Sequence, residues 1–162
     1  MADQQERHPE TGRDESESER LDRNLQEMLG ELRVALPGVQ VLFAFLLVVP
    51  FNQRFADVTQ FQKTVFFITL LCTAASTVCL IAPTAHHRLE FRQQDKQRIV
   101  QTGNRIVILG LLLLAVAMTG AVLFVTDFLY SSTTTIVAAG GLGLGFAVLW
   151  YLIPLRRLAQ GD

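Results

Sequence analysis

Between Ile106 and Val125 the chain reads IVILGLLLLAVAMTGAVLFV, twenty residues without one ionisable side chain. Wound as an α-helix at about 1.5 Å per residue, the run is about 30 Å long, which matches the hydrocarbon core of a bilayer. Three more apolar runs of similar length occupy residues 34–51, 63–82 and 136–153. Only 18% of the residues are charged, and they lie between these runs instead of being scattered through them, as they would be in soluble helices. The pattern predicts an all-α fold: a four-helix transmembrane bundle with an amphipathic N-terminal helix and a partly helical cytoplasmic connection.

The organisation follows the composition. Residues 1–19 have no large apolar side chain after Met1, cannot offset the entropy of ordering, and read as a disordered acidic tail. Over residues 20–33, Leu21, Leu25, Met28, Leu29 and Leu32 recur at steps of three and four, an apolar stripe for a helix at the membrane surface or docked under the bundle. Residues 34–157 form the four-span domain and 158–162 a short tail. Pro37-Gly38 predicts a bend early in the first span. From Pro37 to Phe51 there are only fifteen residues, roughly 22 Å of helix. The crossing therefore has to include the bend; a re-entrant or interfacial segment is the alternative. Pro83 is expected to close the apolar part of the second span, with the helix resuming or extending beyond it and projecting from the membrane. The connection 85–105 is rich in helix formers, with its turn placed at Gly103-Asn104. A turn over residues 126–135 precedes the fourth span, and Pro154, Arg156 and Arg157 mark its exit.

Basic residues partition sharply. If the spans alternate, twelve of the fourteen Lys and Arg residues share one side and only Arg54 and Lys63 lie on the other. The positive-inside rule then predicts a multi-pass plasma-membrane protein with both termini cytoplasmic. Trp150, Tyr151 and Tyr130 fall near span ends, where amphipathic rings prefer to sit. The basic connection suits anionic lipid headgroups, so membrane lipids are expected partners and nucleic acid is not.

Helix association should centre on the fourth span. Gly141 and Gly145 have GxxxG spacing, and Ala139, Gly143 and Ala147 form a second small-residue ridge. The receiving helix is in the same chain or in another copy, and Gly110, Ala117 and Ala121 of the third span are candidates for it. Cys72, Ser76 and Cys79 are expected to share one face of the second span, which makes that span the most enclosed. The cysteines are two turns apart, too far for a mutual disulfide.

Catalytic signals are lacking. No phosphate loop, paired-cysteine zinc pattern or acid–base pair is visible, and adjacent His86 and His87 point about 100° apart on a helix, a poor metal pair. The expectation is a protein that is not an enzyme and has no cofactor or metal. Spans two to four carry no charged side chain or histidine in their interiors. Cation-coupled antiport normally relies on an embedded ionisable group, so the candidates for transport or gating are few: Glu31 and Gln40 in or beside the first span, the hydroxyls of Thr69, Thr73 and Ser76, and Asp127 at the far end of the third.

The strings ELRVALPGVQVLFAFLLVVPF (Glu31 to Phe51) and HHRLEFR (His86 to Arg92) resemble those of a family of short four-span membrane proteins of unknown function, common in actinobacteria. The resemblance covers roughly Leu21 to Arg157. Members sometimes carry an automatic sodium/proton antiporter label, and the family supplies no established transport residues to carry over. Two functions compete: a small oligomeric membrane protein acting as a channel-like or facilitative ion transporter, or a noncatalytic interaction or regulatory protein that engages a membrane complex or lipids. A bundle of four helices has little room for a central path, so the first reading expects a homo-oligomer and the second a membrane-protein partner.

Overall fold

The computed structural model describes residues 17–89, 96–130, 132–153 and 156, and the regular elements among them are all helical. Helix α1 spans Glu17–Val48, α2 Gln60–Leu89, α3 Lys96–Leu129 and α4 Ser132–Phe146. The last continues as a π-helical stretch over Ala147–Leu152. Two 3-10 turns, Val49–Phe51 and Gln53–Asp57, join α1 to α2. The acidic tail before Glu17 and the connection 90–95 lie outside the described residues, as do the side chains of His86, His87, Leu21, Leu25 and Met28.

The amphipathic segment and the first span are one helix, with Pro37 inside it. Its buried residues recur every seven positions, Leu32, Val39 and Leu46, flanked by Leu29, Leu36 and Leu42. One stripe therefore continues from the amphipathic segment into the membrane. The apolar part, Leu29–Phe51, is 23 residues long, enough to cross at about 1.5 Å per residue with the proline included. A membrane helix tolerates the hydrogen bond that proline forfeits because its neighbours hold it in place.

Helices α2 and α3 pack on each other most extensively. On α2 the buried positions from Gln62 onward are Phe66, Thr69, Thr73, Ser76, Leu80 and Pro83, in alternating steps of four and three. On α3 they are Gly103, Val107, Gly110, Leu114 and Ala117, in the same steps, with Ala115 beside them. A repeat averaging 3.5 residues keeps each row turned toward its partner as the helices coil. The pair is antiparallel: Gln62 meets Asp127, Thr69 meets Gly120, and Ser76 meets Gly110. Approach is closest at the two glycines. A Cβ on Gly110 would lie 2.9 Å from Leu80 Cδ2 and 3.0 Å from Cys79 Cβ, and one on Gly120 would strike Thr69 Oγ1.

This seam corrects three expectations. It bears out one other, since α2 continues through Pro83 and runs on to Leu89. Gly103-Asn104 is not a turn, because α3 begins at Lys96 and the bare Cα of Gly103 occupies a buried seam position. The turn assigned to residues 126–135 shrinks to the step from Leu129 to Ser132, since Thr126 and Asp127 stay helical. Cys72 and Cys79 are only half-buried, while the enclosed row passes through Thr69, Thr73 and Ser76. Gly110 faces Leu80 and Cys79 of α2, and Ala117 continues the same buried row.

Among the described elements α4 packs on α3 alone, apart from its own π-helical continuation. Around the bundle large apolar side chains face outward, Phe45 at 70%, Ile136 at 70% and Val137 at 69% exposure. Such a girdle on four helices of spanning length fits hydrocarbon and not water.

Candidate functional site

Every polar group inside a bilayer needs a partner from protein, because the hydrocarbon offers none. At the end of the bundle away from the termini, Thr59 and Gln62 cap α2 reciprocally. Gln62 N–H donates to Thr59 Oγ1 at 3.2 Å, and Thr59 N–H donates to Gln62 Oε1 at 3.0 Å. The remaining amide nitrogen of Gln62 donates to Asp127 Oδ2 at 2.9 Å, tying the start of α2 to the end of α3. Beside this contact Phe55, Phe66 and Phe124 form a chain of rings with centroids 5.5 and 5.6 Å apart. The Arg54 guanidinium lies 5.4 Å over the Phe128 ring, a cation–π arrangement. A cleft of about 420 Å³ opens here between Phe45, Val49, Phe55 and Phe128. Asp127 thus sits in a polar helix-end knot with Gln62, a residue the sequence reading passed over although its Thr-x-x-Gln spacing marks a capping box.

The hydroxyl row of α2 is enclosed within the α2–α3 seam. Thr69 Oγ1 donates to Val65 O at 2.8 Å, Thr73 Oγ1 to Thr69 O at 2.8 Å and Thr77 Oγ1 to Thr73 O at 2.9 Å. Ser76 Oγ reaches across to Gly110 O at 2.8 Å. All four protons are committed to backbone carbonyls. Thr69, Thr73 and Ser76 are buried.

Glu31 and Gln40 lie elsewhere. Both are exposed on α1, and their nine-residue separation turns them about half a circle apart around the helix. Gln40 is at the midpoint of the Leu29–Phe51 stretch, about 16 Å from either end. It has no hydrogen-bond partner among the described residues. The proposed transport residues therefore fall into three separate places: the outer surface of α1, the α2–α3 seam, and the Gln62 knot.

Of the small residues of the fourth span, Ala139 is buried and Gly143 faces α3, where its Cβ would lie 3.4 Å from Thr119 Cγ2. Gly141 and Gly145 have nothing within 4 Å in the chain, as is also true of Gly140, and Ala147 is exposed. A second cleft, about 470 Å³, runs between α2, α3 and α4 past Thr69, Ala115, Thr119, Gly143, Ala147 and Tyr151. The Tyr151 hydroxyl is buried and has no hydrogen-bond partner among the described residues. Neither the π-helical stretch that carries it nor the lone phenol had a specific sequence signal beyond the nearness of Pro154. No group of three metal-ligating side chains occurs among the described residues.

Four helices of spanning length, joined in sequence and apolar on their outer faces, define a multi-pass all-α membrane protein. Its family is DUF6328, a family of unknown function, to which the chain belongs through a match over residues 14–154. No curated protein and no solved structure matches the chain.

Proposed function

We propose that the chain is a noncatalytic, self-associating protein of the plasma membrane, with both termini cytoplasmic, whose subunits meet on the α1 face that carries Gln40. The observation behind this reading is an exposed carboxamide midway along the Leu29–Phe51 span with no partner among the described residues. Left in hydrocarbon, an amide forfeits the hydrogen bonds that water would supply, a cost of several kcal/mol on the order given by transfer scales. Glutamine is both donor and acceptor, so two copies related by a two-fold axis satisfy each other. The flank helps: Pro37 and Ala44 lie within about a turn of Gln40 and hold little bulk between approaching backbones. The side assigned to the cytoplasm carries twelve of the fourteen basic residues.

Energy transfer between dye-labelled full-length chains in liposomes, diluted progressively with lipid, tests the proposal. Wild-type protein should associate, and Gln40→Leu should need roughly threefold to tenfold more protein per lipid to do so. Equal association of wild type and Gln40→Leu refutes it, as does association only with a different membrane protein.

Facilitative ion passage is a second reading, favoured by the same residue. With the α2 hydroxyls committed to carbonyls, a route lined by Gln40 would run between chains, so flux in liposomes should fall with Gln40→Leu and persist with Ser76→Ala. Antiport has weaker support, because spans two to four hold no charged side chain in their interiors.

A further inference from the structure

The cleft between α2, α3 and α4 belongs to neither the α1 face nor the Gln62 knot. It is about 470 Å³ and walled almost wholly by apolar side chains, within the size range of small-ligand sites. Its polar wall groups are Thr69, Thr119 and Tyr151. The first two have spent their protons inside their own helices, Thr69 on Val65 O and Thr119 on Ala115 O, each at 2.8 Å. Tyr151 has not: its hydroxyl oxygen is closed off from solvent and has no partner among the described residues. A phenol in that condition loses the hydrogen bond it had in water and gains none, so a complementary acceptor in the cleft would be favoured by the full value of the missing bond.

The backbone that presents Tyr151 is unusual as well. Ala147–Leu152 is π-helical, and the Ile153 N–H reaches five residues back to Val148 O. π turns inside α-helices are frequent at functional sites. Tyr151 is one residue from the end of the Ser132–Leu152 span. Helical side chains lean toward the helix N-terminus, so the phenol tilts from the interface back toward the hydrocarbon. That is the depth at which a glycerolipid holds its ester carbonyls.

We infer that this cleft is a binding site for a glycerolipid from the leaflet on the side of the termini, with one acyl chain lying over Gly143 and Thr119 and an ester carbonyl accepting the Tyr151 hydroxyl proton. The shared chemistry is an apolar chain with a carbonyl near its polar end. Glycerolipid is the abundant source of it in a bilayer, and a prenylated quinone is the competing source.

The test is native mass spectrometry of the full-length protein in detergent, titrated separately with ester-linked phosphatidylglycerol, its ether-linked analogue without carbonyls, and a prenylated quinone. Wild type should hold the ester lipid roughly threefold to tenfold more tightly than the ether lipid. Tyr151→Phe should abolish that preference without weakening the ether lipid. Ala147→Leu, a substitution at an exposed helical position on the cleft wall, should weaken both. Equal affinity of wild type for ester and ether lipids, an ester preference that survives in Tyr151→Phe, tighter binding of the quinone, or no binding of any of the three would each overturn the inference.

Discussion

Replacing Gly110 by alanine tests whether steric fit or hydrogen bonding holds the α2–α3 seam. The added methyl would lie 2.9 Å from Leu80 Cδ2 and 3.0 Å from both Cys79 Cβ and Leu80 Cγ. Carbon atoms settle at about 3.5–4.0 Å. Leu80 is fully buried and Cys79 Cβ is fixed to its backbone, so relief requires the helices to part, an overpacking cost of about 1–3 kcal/mol. The Ser76–Gly110 hydrogen bond is worth less, about 0.6 kcal/mol on average in membrane helices and about 1.7 at most. Alanine also raises helix propensity, by about 1 kcal/mol in soluble hosts, but Gly141→Ala has nothing within 4 Å of its new methyl and carries the same term. Subtracting one variant from the other cancels it. Reversible unfolding in mixed micelles, followed by circular dichroism, should therefore place Gly110→Ala about 1–3 kcal/mol below Gly141→Ala, with Ser76→Ala falling less. Equal stability of the two alanine variants, or a greater loss in Ser76→Ala than that difference, would refute steric control of the seam.

Other outcomes follow from the same contacts. Asp127→Ala should lower stability by about 1–2 kcal/mol in the same assay, and a double-mutant cycle with Gln62→Ala should show the two losses to be strongly non-additive; simple additivity would mean the 2.9 Å contact carries no energy. Thr59→Ala should cost about 1 kcal/mol by removing one half of the capping box, whereas Thr59→Ser should cost little. A cysteine placed at Gln53 should react with a membrane-impermeant thiol reagent in intact cells, and one at Arg156 only after permeabilisation. The reverse pattern would invert the orientation.

The bundle was legible because its signals are coarse and physical: run length and absence of charge. Helix ends were less so. Gly103 is a breaker in isolation, yet it occupies a buried seam position seven residues before Gly110 where a small residue packs well, and tertiary contact overrode the local preference. The enclosed face of α2 was misplaced by one position at each cysteine, since Cys72 and Thr73, like Cys79 and Leu80, are equally plausible until the partner helix is known. The buried rows of α2 and α3 keep the same steps over several turns, and comparing the two would have found the seam. Gln40 was visible as a polar residue in an apolar run, but which way it faced depends on the α1 stripe through Leu32, Val39 and Leu46. The π turn at Ala147–Leu152 had no periodic signature, because glycine and alanine leave α4 almost without a polar side.

Hydrogen-bond satisfaction separates the membrane-embedded polar groups into two kinds. Thr69, Thr73, Thr77 and Thr119 donate within their own helices, and Ser76 reaches a neighbouring helix. A hydroxyl with its proton already placed stabilises the bundle and has little left with which to recruit a ligand. Gln40 and Tyr151 are different: one faces outward midway along its span, the other sits closed off beside a cleft, and neither has a partner among the described residues. Their removal should therefore have opposite consequences from those of the seam residues. Gln40→Leu and Tyr151→Phe delete polar atoms that contribute no internal bond, so the isolated chain should keep its stability or gain about 1 kcal/mol, the desolvation cost of a buried group no longer left unpaired, while association or lipid retention falls. Loss of stability in step with loss of association would instead make both residues structural.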